Sequence, residues 1–204
     1  MRTSRMFIGA SVVLSVVLLT ACGAADSSTG SASDGAAPAS TVAAPADSPS
    51  GTTGQMNALQ SAQSYLSMDS GFSEKALLQQ LTSTVAEGYP KADAEWAIKH
   101  SSADWNAQAL MSAKSYLQTG GGMSEKGLME QLTSSAGAGF TKAQAAQAVK
   151  NSGADWKAQA VESAKSYLAT GGFSKSSLLE QLTSSAGAGF TKAQAVYALS
   201  KVGY

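Results

Sequence analysis

The 204-residue chain carries 14 basic and 14 acidic side chains, a formal net charge of zero, and one cysteine. That balance argues against a strongly basic surface for nucleic acid, and a single cysteine excludes an internal disulfide. Both arginines, Arg2 and Arg5, stand at the extreme N-terminus, so any exported part depends on apolar burial and lysine for its charge chemistry.

Arg2 and Arg5 form a positive n-region, and residues 7–19 an apolar h-region too short for a comfortable membrane span. The run ends in Leu19-Thr20-Ala21-Cys22, which looks like a bacterial lipobox, where the signal is cut just before a diacylated cysteine. Residues 1–21 are therefore expected to be a lipoprotein signal peptide, and Cys22 the site of palmitate-type acylation. An ordinary signal peptide with an incidental cysteine is the alternative. Two acyl chains on Cys22 meet the two-signal requirement for stable anchoring, which predicts a lipid-anchored protein on the extracellular face of the cell membrane.

Residues 22–54 read as a tether. Past Cys22, Gly, Ala, Ser, Thr, Asp and Pro fill the segment except for Val42. Such a composition cannot bury enough apolar surface to offset chain entropy, and predicts a flexible spacer reaching about 30 Å r.m.s..

From Met56 onward the sequence repeats. Tyr65, Tyr116 and Tyr167 are 51 residues apart, as are Trp105 and Trp156, and residues 131–145 are identical to residues 181–195. The third copy lacks one residue between Tyr167 and Phe173. Three tandem units are expected, at 55–103, 104–153 and 154–204.

Each unit predicts three short helices and no strand, so the fold class is all-α. In the second copy Trp105, Ala109, Ala113, Tyr116 and Leu117 share one face of a helix over 105–118, with Asp104 as N-cap. The three glycines at 120–122 end it. A second helix opens at Ser124 and buries Leu128, Met129 and Leu132. A third opens on Thr141 and Gln144, which have capping-box spacing, with Phe140 just outside. In the first copy Tyr89-Pro90 places proline early in the third helix. The second and third helices form a helix-turn-helix-like pair.

The junctions differ in one respect. Gly54 stands where Trp105 and Trp156 stand in later copies, so tryptophan occupies this position only where one unit follows another. Trp105 and Trp156 either bridge successive units or complete the cores of their own.

No catalytic constellation emerges. Lipidation would consume Cys22 as a nucleophile. His100, the one histidine, becomes Asn151 and Lys201 in the other copies, and reads as a helix-end surface residue rather than a metal ligand or base. Glu74 and Glu125 become Lys175, and Glu130 and Glu180 correspond to a glutamine of the first copy, so no carboxylate pair recurs. The Gly-Ala-Gly turns at 137–139 and 187–189 follow helices, matching neither a dinucleotide fingerprint nor a P-loop. No cofactor, metal or enzymatic activity is expected. DNA binding is disfavoured by near-balanced charge, absence of arginine after residue 5, and export. A protein-contact surface fits the exposed Lys, Gln, Ser and Thr better.

The motifs carry a family resemblance. Ala-Lys-Ser-Tyr-Leu (113–117, 164–168), Glu-Gln-Leu-Thr-Ser (130–134, 180–184), Phe-Thr-Lys-Ala-Gln-Ala (140–145, 190–195) and Ala-Asp-Trp (103–105, 154–156) recur after a lipobox and a polar linker. This pattern resembles the Ltp-like host cell surface-exposed lipoproteins. The resemblance implies helix-turn-helix-type repeats on the outer face of a Gram-positive or actinobacterial membrane. In phage-encoded members it implies superinfection exclusion, with incoming DNA blocked through the phage tape measure protein. It transfers no binding residue. A structural or wall-associated role, with peptidoglycan or another envelope protein as partner, is the alternative expectation.

Overall fold

The computed structural model describes residues 50–204. The expected signal peptide at 1–21, Cys22 and most of the tether lie outside the described residues. Within them, nine α-helices and no strand fall into three sets of three: α1 (Thr53–Leu66), α2 (Glu74–Thr82) and α3 (Lys91–His100); α4 (Trp105–Gln118), α5 (Glu125–Thr133) and α6 (Lys142–Asn151); α7 (Trp156–Thr170), α8 (Lys175–Thr183) and α9 (Lys192–Lys201).

Local chemistry sets the helix starts. Asp104 and Asp155 each accept two backbone N–H groups of the first turn that follows. Thr141 and Thr191 close capping boxes with Gln144 and Gln194. Thr52 and Gln55 close the same box in the first copy, so α1 begins at Thr53, inside the stretch assigned to the tether. Two reciprocal bonds satisfy otherwise orphaned N–H groups there, and the helix starts as soon as they can form. Pro90 is the N-cap of α3 and makes no side-chain cap bond.

Each set closes around its own apolar core. Leu77 and Leu81, Leu128 and Leu132, and Leu178 and Leu182 are fully buried at matching positions, among alanines of the first and third helices. Burial of one leucine stabilises by about 1.5–3 kcal/mol. The alanines let the first and third helices approach closely. Met129, expected in the core, is only half-buried at its edge. Phe140 and Phe190 are buried at 4% and 3% exposure, at the turn into the third helix. Their N–H groups donate to the Leu132 and Leu182 carbonyls at 2.8 and 2.9 Å, which fixes the turn between second and third helices.

Successive repeats meet through a narrow, repeated set of contacts. Gly71 has φ +70°, and a Cβ there would lie 2.2 Å from the Gln108 carbonyl oxygen and 2.7 Å from the Ser112 nitrogen. Gly122, φ +71°, stands equally close to Gln159 and Ser163. Only glycine combines that backbone conformation with that approach. Beside it, the side-chain carbonyls of Gln108 and Gln159 accept the N–H groups of Phe72 and Met123 at 2.8 and 2.9 Å. Ser73, N-cap of α2, donates its hydroxyl to the Ala138 carbonyl at 2.6 Å, and Ser124 donates to Ala188 at 2.6 Å. Gln108, Ser73, Ser112, Ser124 and Ser163 are the buried polar residues of the described chain, and all belong to these junctions. No buried side-chain polar atom lacks a partner among the described residues.

Candidate functional site

The sequence candidates separate cleanly by position. Trp105 opens α4 and packs against the core of the first repeat; Trp156 opens α7 and packs against that of the second. Neither is among the residues packed on the core of the repeat whose first helix it begins. In the third repeat Val202, at the position of Ser101 and Ser152, packs on the core. Cys22 lies outside the described residues.

The His100 ring stacks on Trp96 with centroids 4.1 Å apart, and its Nδ1 is 2.7 Å from the Trp96 carbonyl oxygen. No group of three or more potential metal ligands occurs among the described residues. Glu130 pairs with Lys126 at 3.6 Å on a solvated helix face, and Glu95 pairs with Lys91 at 3.4 Å. Glu74, Glu95 and Lys99 border a shallow groove of about 440 Å³ with Leu78, Ile98 and Trp105 at its floor. Ser102 completes the polar lining of this groove beside the two carboxylates and the ammonium.

The two ends of the array depart from the junction pattern, and these departures escaped the sequence reading. At the upstream end, Asn57 replaces the junction glutamine and Glu87 replaces Ala138 and Ala188. The Tyr65 hydroxyl donates to Glu87 Oε1 at 2.8 Å, and the Ser61 hydroxyl lies 3.1 Å from that of Tyr89. Partial burial first, with the Glu87 carboxylate adding to it, holds the Tyr65 hydroxyl above its ordinary pKa, against a lowering bond from Gln80. At the downstream end, Ser174 is exposed and bonds to Ser176 and Ser177, and Gly172 lies outside the left-handed region with open space around it. The Tyr204 hydroxyl donates to the Phe173 carbonyl. The available signal was the missing residue before Phe173, together with Gln-to-Asn and Ala-to-Glu changes confined to the first copy.

Exposed large apolar residues fall in two of the repeats: Met56, Met68 and Val85 in the first, and three in the third. Val196, Tyr197 and Tyr204 are 49%, 37% and 39% exposed, and neither Val196 nor Tyr197 packs on the third core. Lys157 and Lys201 each place an ammonium 5.3 Å from the centre of the Tyr197 ring.

The fold defines a class: tandem three-helix repeats joined by glycine and glutamine contacts. The family described as host cell surface-exposed lipoprotein matches residues 54–100, 104–151 and 155–202, and the chain belongs to that family. The chain is similar to Ltp, a superinfection exclusion protein from the Streptococcus thermophilus temperate phage TP-J34. The two are 30% identical, with 50% of this chain and 98% of that one covered and a TM-score of 0.44. No curated protein matches the chain. The all-α, three-repeat architecture expected from the sequence is the one observed.

Proposed function

We propose that this chain is a lipid-anchored, non-enzymatic protein-binding module of the cell surface that blocks genome delivery by an incoming phage. The observation that carries this reading is the use of its polar residues. The buried ones lie at the joints between repeats, and no group of three or more potential metal ligands occurs among the described residues. What three linked copies offer is an extended surface of exposed side chains, as contact proteins of the repeat type do. Family membership supports the surface location. The lipobox ending in Cys22 supports the anchor, and Trp105 and Trp156 supply the apolar element that holds successive repeats together.

The partner in this reading is a phage protein that reaches the membrane during injection, the tape measure protein by the family resemblance. No nucleic acid contact is needed. Cells expressing the full chain are challenged with a panel of phages that infect the host, and adsorption and genome uptake are measured separately. Unchanged adsorption with reduced uptake is expected. Unaltered uptake across the panel removes the exclusion role. Retention of the soluble repeats on purified wall material would favour the wall-associated alternative.

A further inference from the structure

The third repeat carries a cationic aromatic cluster that the other two lack. Lys157 of α7 and Lys201 of α9 bracket the Tyr197 ring at 5.3 Å each. The equivalent positions are Gln55, Trp96 and His100 in the first repeat, and Asn106, Gln147 and Asn151 in the second. In the first repeat the aromatic is used internally: Trp96 packs on its own core, stacks on His100 and lies against Gly51. Tyr197 does none of this. Its ring faces two ammonium groups and solvent.

Neither lysine is in an ion pair among the described residues, where the pairs are Lys91–Glu95, Lys126–Glu130 and Lys165–Glu162. Lys201, in the last turn of α9, also complements the helix dipole, but that does not account for Lys157. Two ammonium groups held near one ring, neither of them ion-paired among the described residues, together favour an approaching anion. The wider charge distribution points the same way. The first repeat (55–103) holds three lysines against five acids, the second (104–153) four against three, and the third (154–204) five against three. Side-chain net charge therefore runs −2, +1, +2 along the array, and the cluster sits at the positive end.

We propose that Lys157, Val196, Tyr197 and Lys201 form a docking surface for an acidic, partly apolar segment of a partner protein. This rests on the protein-binding reading above and assigns it a face. Charge alone would suit any polyanion. Exposed Val196 beside Tyr197 adds apolar contact that a phosphate polymer leaves unused, and the mature repeats lack the arginines that bind phosphate bidentately. A second copy of the chain is the competing occupant, because the first repeat is net negative and exposes Met56, Met68 and Val85, and self-association is the outcome that would reveal it.

The test gives the third repeat the surface of the second, with Lys157→Asn, Tyr197→Gln and Lys201→Asn in the full chain. These residues already occupy the same positions of a folded repeat, and circular dichroism checks that folding is kept. The probe is a synthetic peptide of glutamates interspersed with leucines, followed by amide chemical shifts and fluorescence anisotropy, with phosphatidylglycerol vesicles run beside it. Shifts centred on residues 157 and 196–201 are expected, with affinity falling about tenfold in the triple variant. Unchanged affinity, shifts centred elsewhere, tighter binding to the vesicles, or self-association abolished by the variant would each overturn the assignment. Genome uptake measured in parallel separates the two claims. Full protection by the triple variant overturns this surface and leaves the exclusion role standing. A wild-type chain without protection overturns the exclusion role whatever the peptide does.

Discussion

The N–H of Phe72 donates to Gln108 Oε1 at 2.8 Å, and Gln108 Nε2 donates back to the Leu66 carbonyl at 2.9 Å. One side chain at the start of the second repeat thereby satisfies two backbone groups at the end of α1 and the turn that follows. Gln108 is 8% exposed, so truncation leaves both groups short of a partner in a site water reaches poorly. Gln108→Ala is expected to cost about 2–3 kcal/mol of stability in urea denaturation. Asn57→Ala, at the equivalent but exposed position with no repeat before it, is expected to stay within about 0.5 kcal/mol. Equal effects would show that the junction bond carries no special weight.

The same logic applies more severely to glycine. A methyl group on Gly122 would sit 2.1 Å from the Gln159 carbonyl oxygen, on a residue already at φ +71°. Gly122→Ala therefore incurs both left-handed strain, about 1–2 kcal/mol, and a clash that only separation of the repeats relieves. A total loss of about 3 kcal/mol or more is expected. Gly172→Ala meets nothing within 4 Å and lies outside the left-handed region, so thermal melting should barely move. A comparable drop at Gly172 would mean that close approach to the next helix is not what makes Gly122 sensitive.

Much of this fold was legible because it rests on short-range rules applied three times. Asp104, Thr141 and the buried leucines follow from capping and helical periodicity, which a repeated sequence confirms against itself. The junctions were not legible in the same way. Gln108 and Ser73 look like ordinary polar helix residues, and their burial comes from contacts 36 to 65 residues away. No local rule separates Gln108 from exposed Gln118 on the same helix. Tryptophan spacing pointed to Trp105 and Trp156, yet it left open which core each would meet. Tyr197 was passed over because a tyrosine on an amphipathic helix normally packs inward, whereas here Leu199 and Ala198 take the core positions.

Trp105 offers the sharpest test of how the repeats are joined. Its side chain packs on the first core although its backbone belongs to α4. Trp105→Ala in the full chain should cost about 2 kcal/mol, below the range for a fully buried tryptophan because the ring is half-exposed. In a fragment holding only residues 104–204 the first core is absent, and the same substitution should be nearly neutral. Denaturant melts of the four proteins decide the matter. Equal destabilisation in both backgrounds would return Trp105 to the core of its own repeat and remove the bridging role.

The anchor is tested apart from the fold. Cys22 lies outside the described residues, whose first helix begins at Thr53. Cys22→Ala should leave the circular dichroism spectrum and melting temperature of the repeats unchanged. Membrane fractionation of expressing cells should then find the chain released to the medium or held as unprocessed precursor, since one lost thiol removes both acyl chains that stable anchoring requires. Exclusion should fail with it, because a binding surface that works at the membrane is diluted once untethered. A Cys22→Ala chain that stayed membrane-bound and normally processed would rule out the lipid anchor. A released chain that still protected cells would instead separate the contact surface from its address.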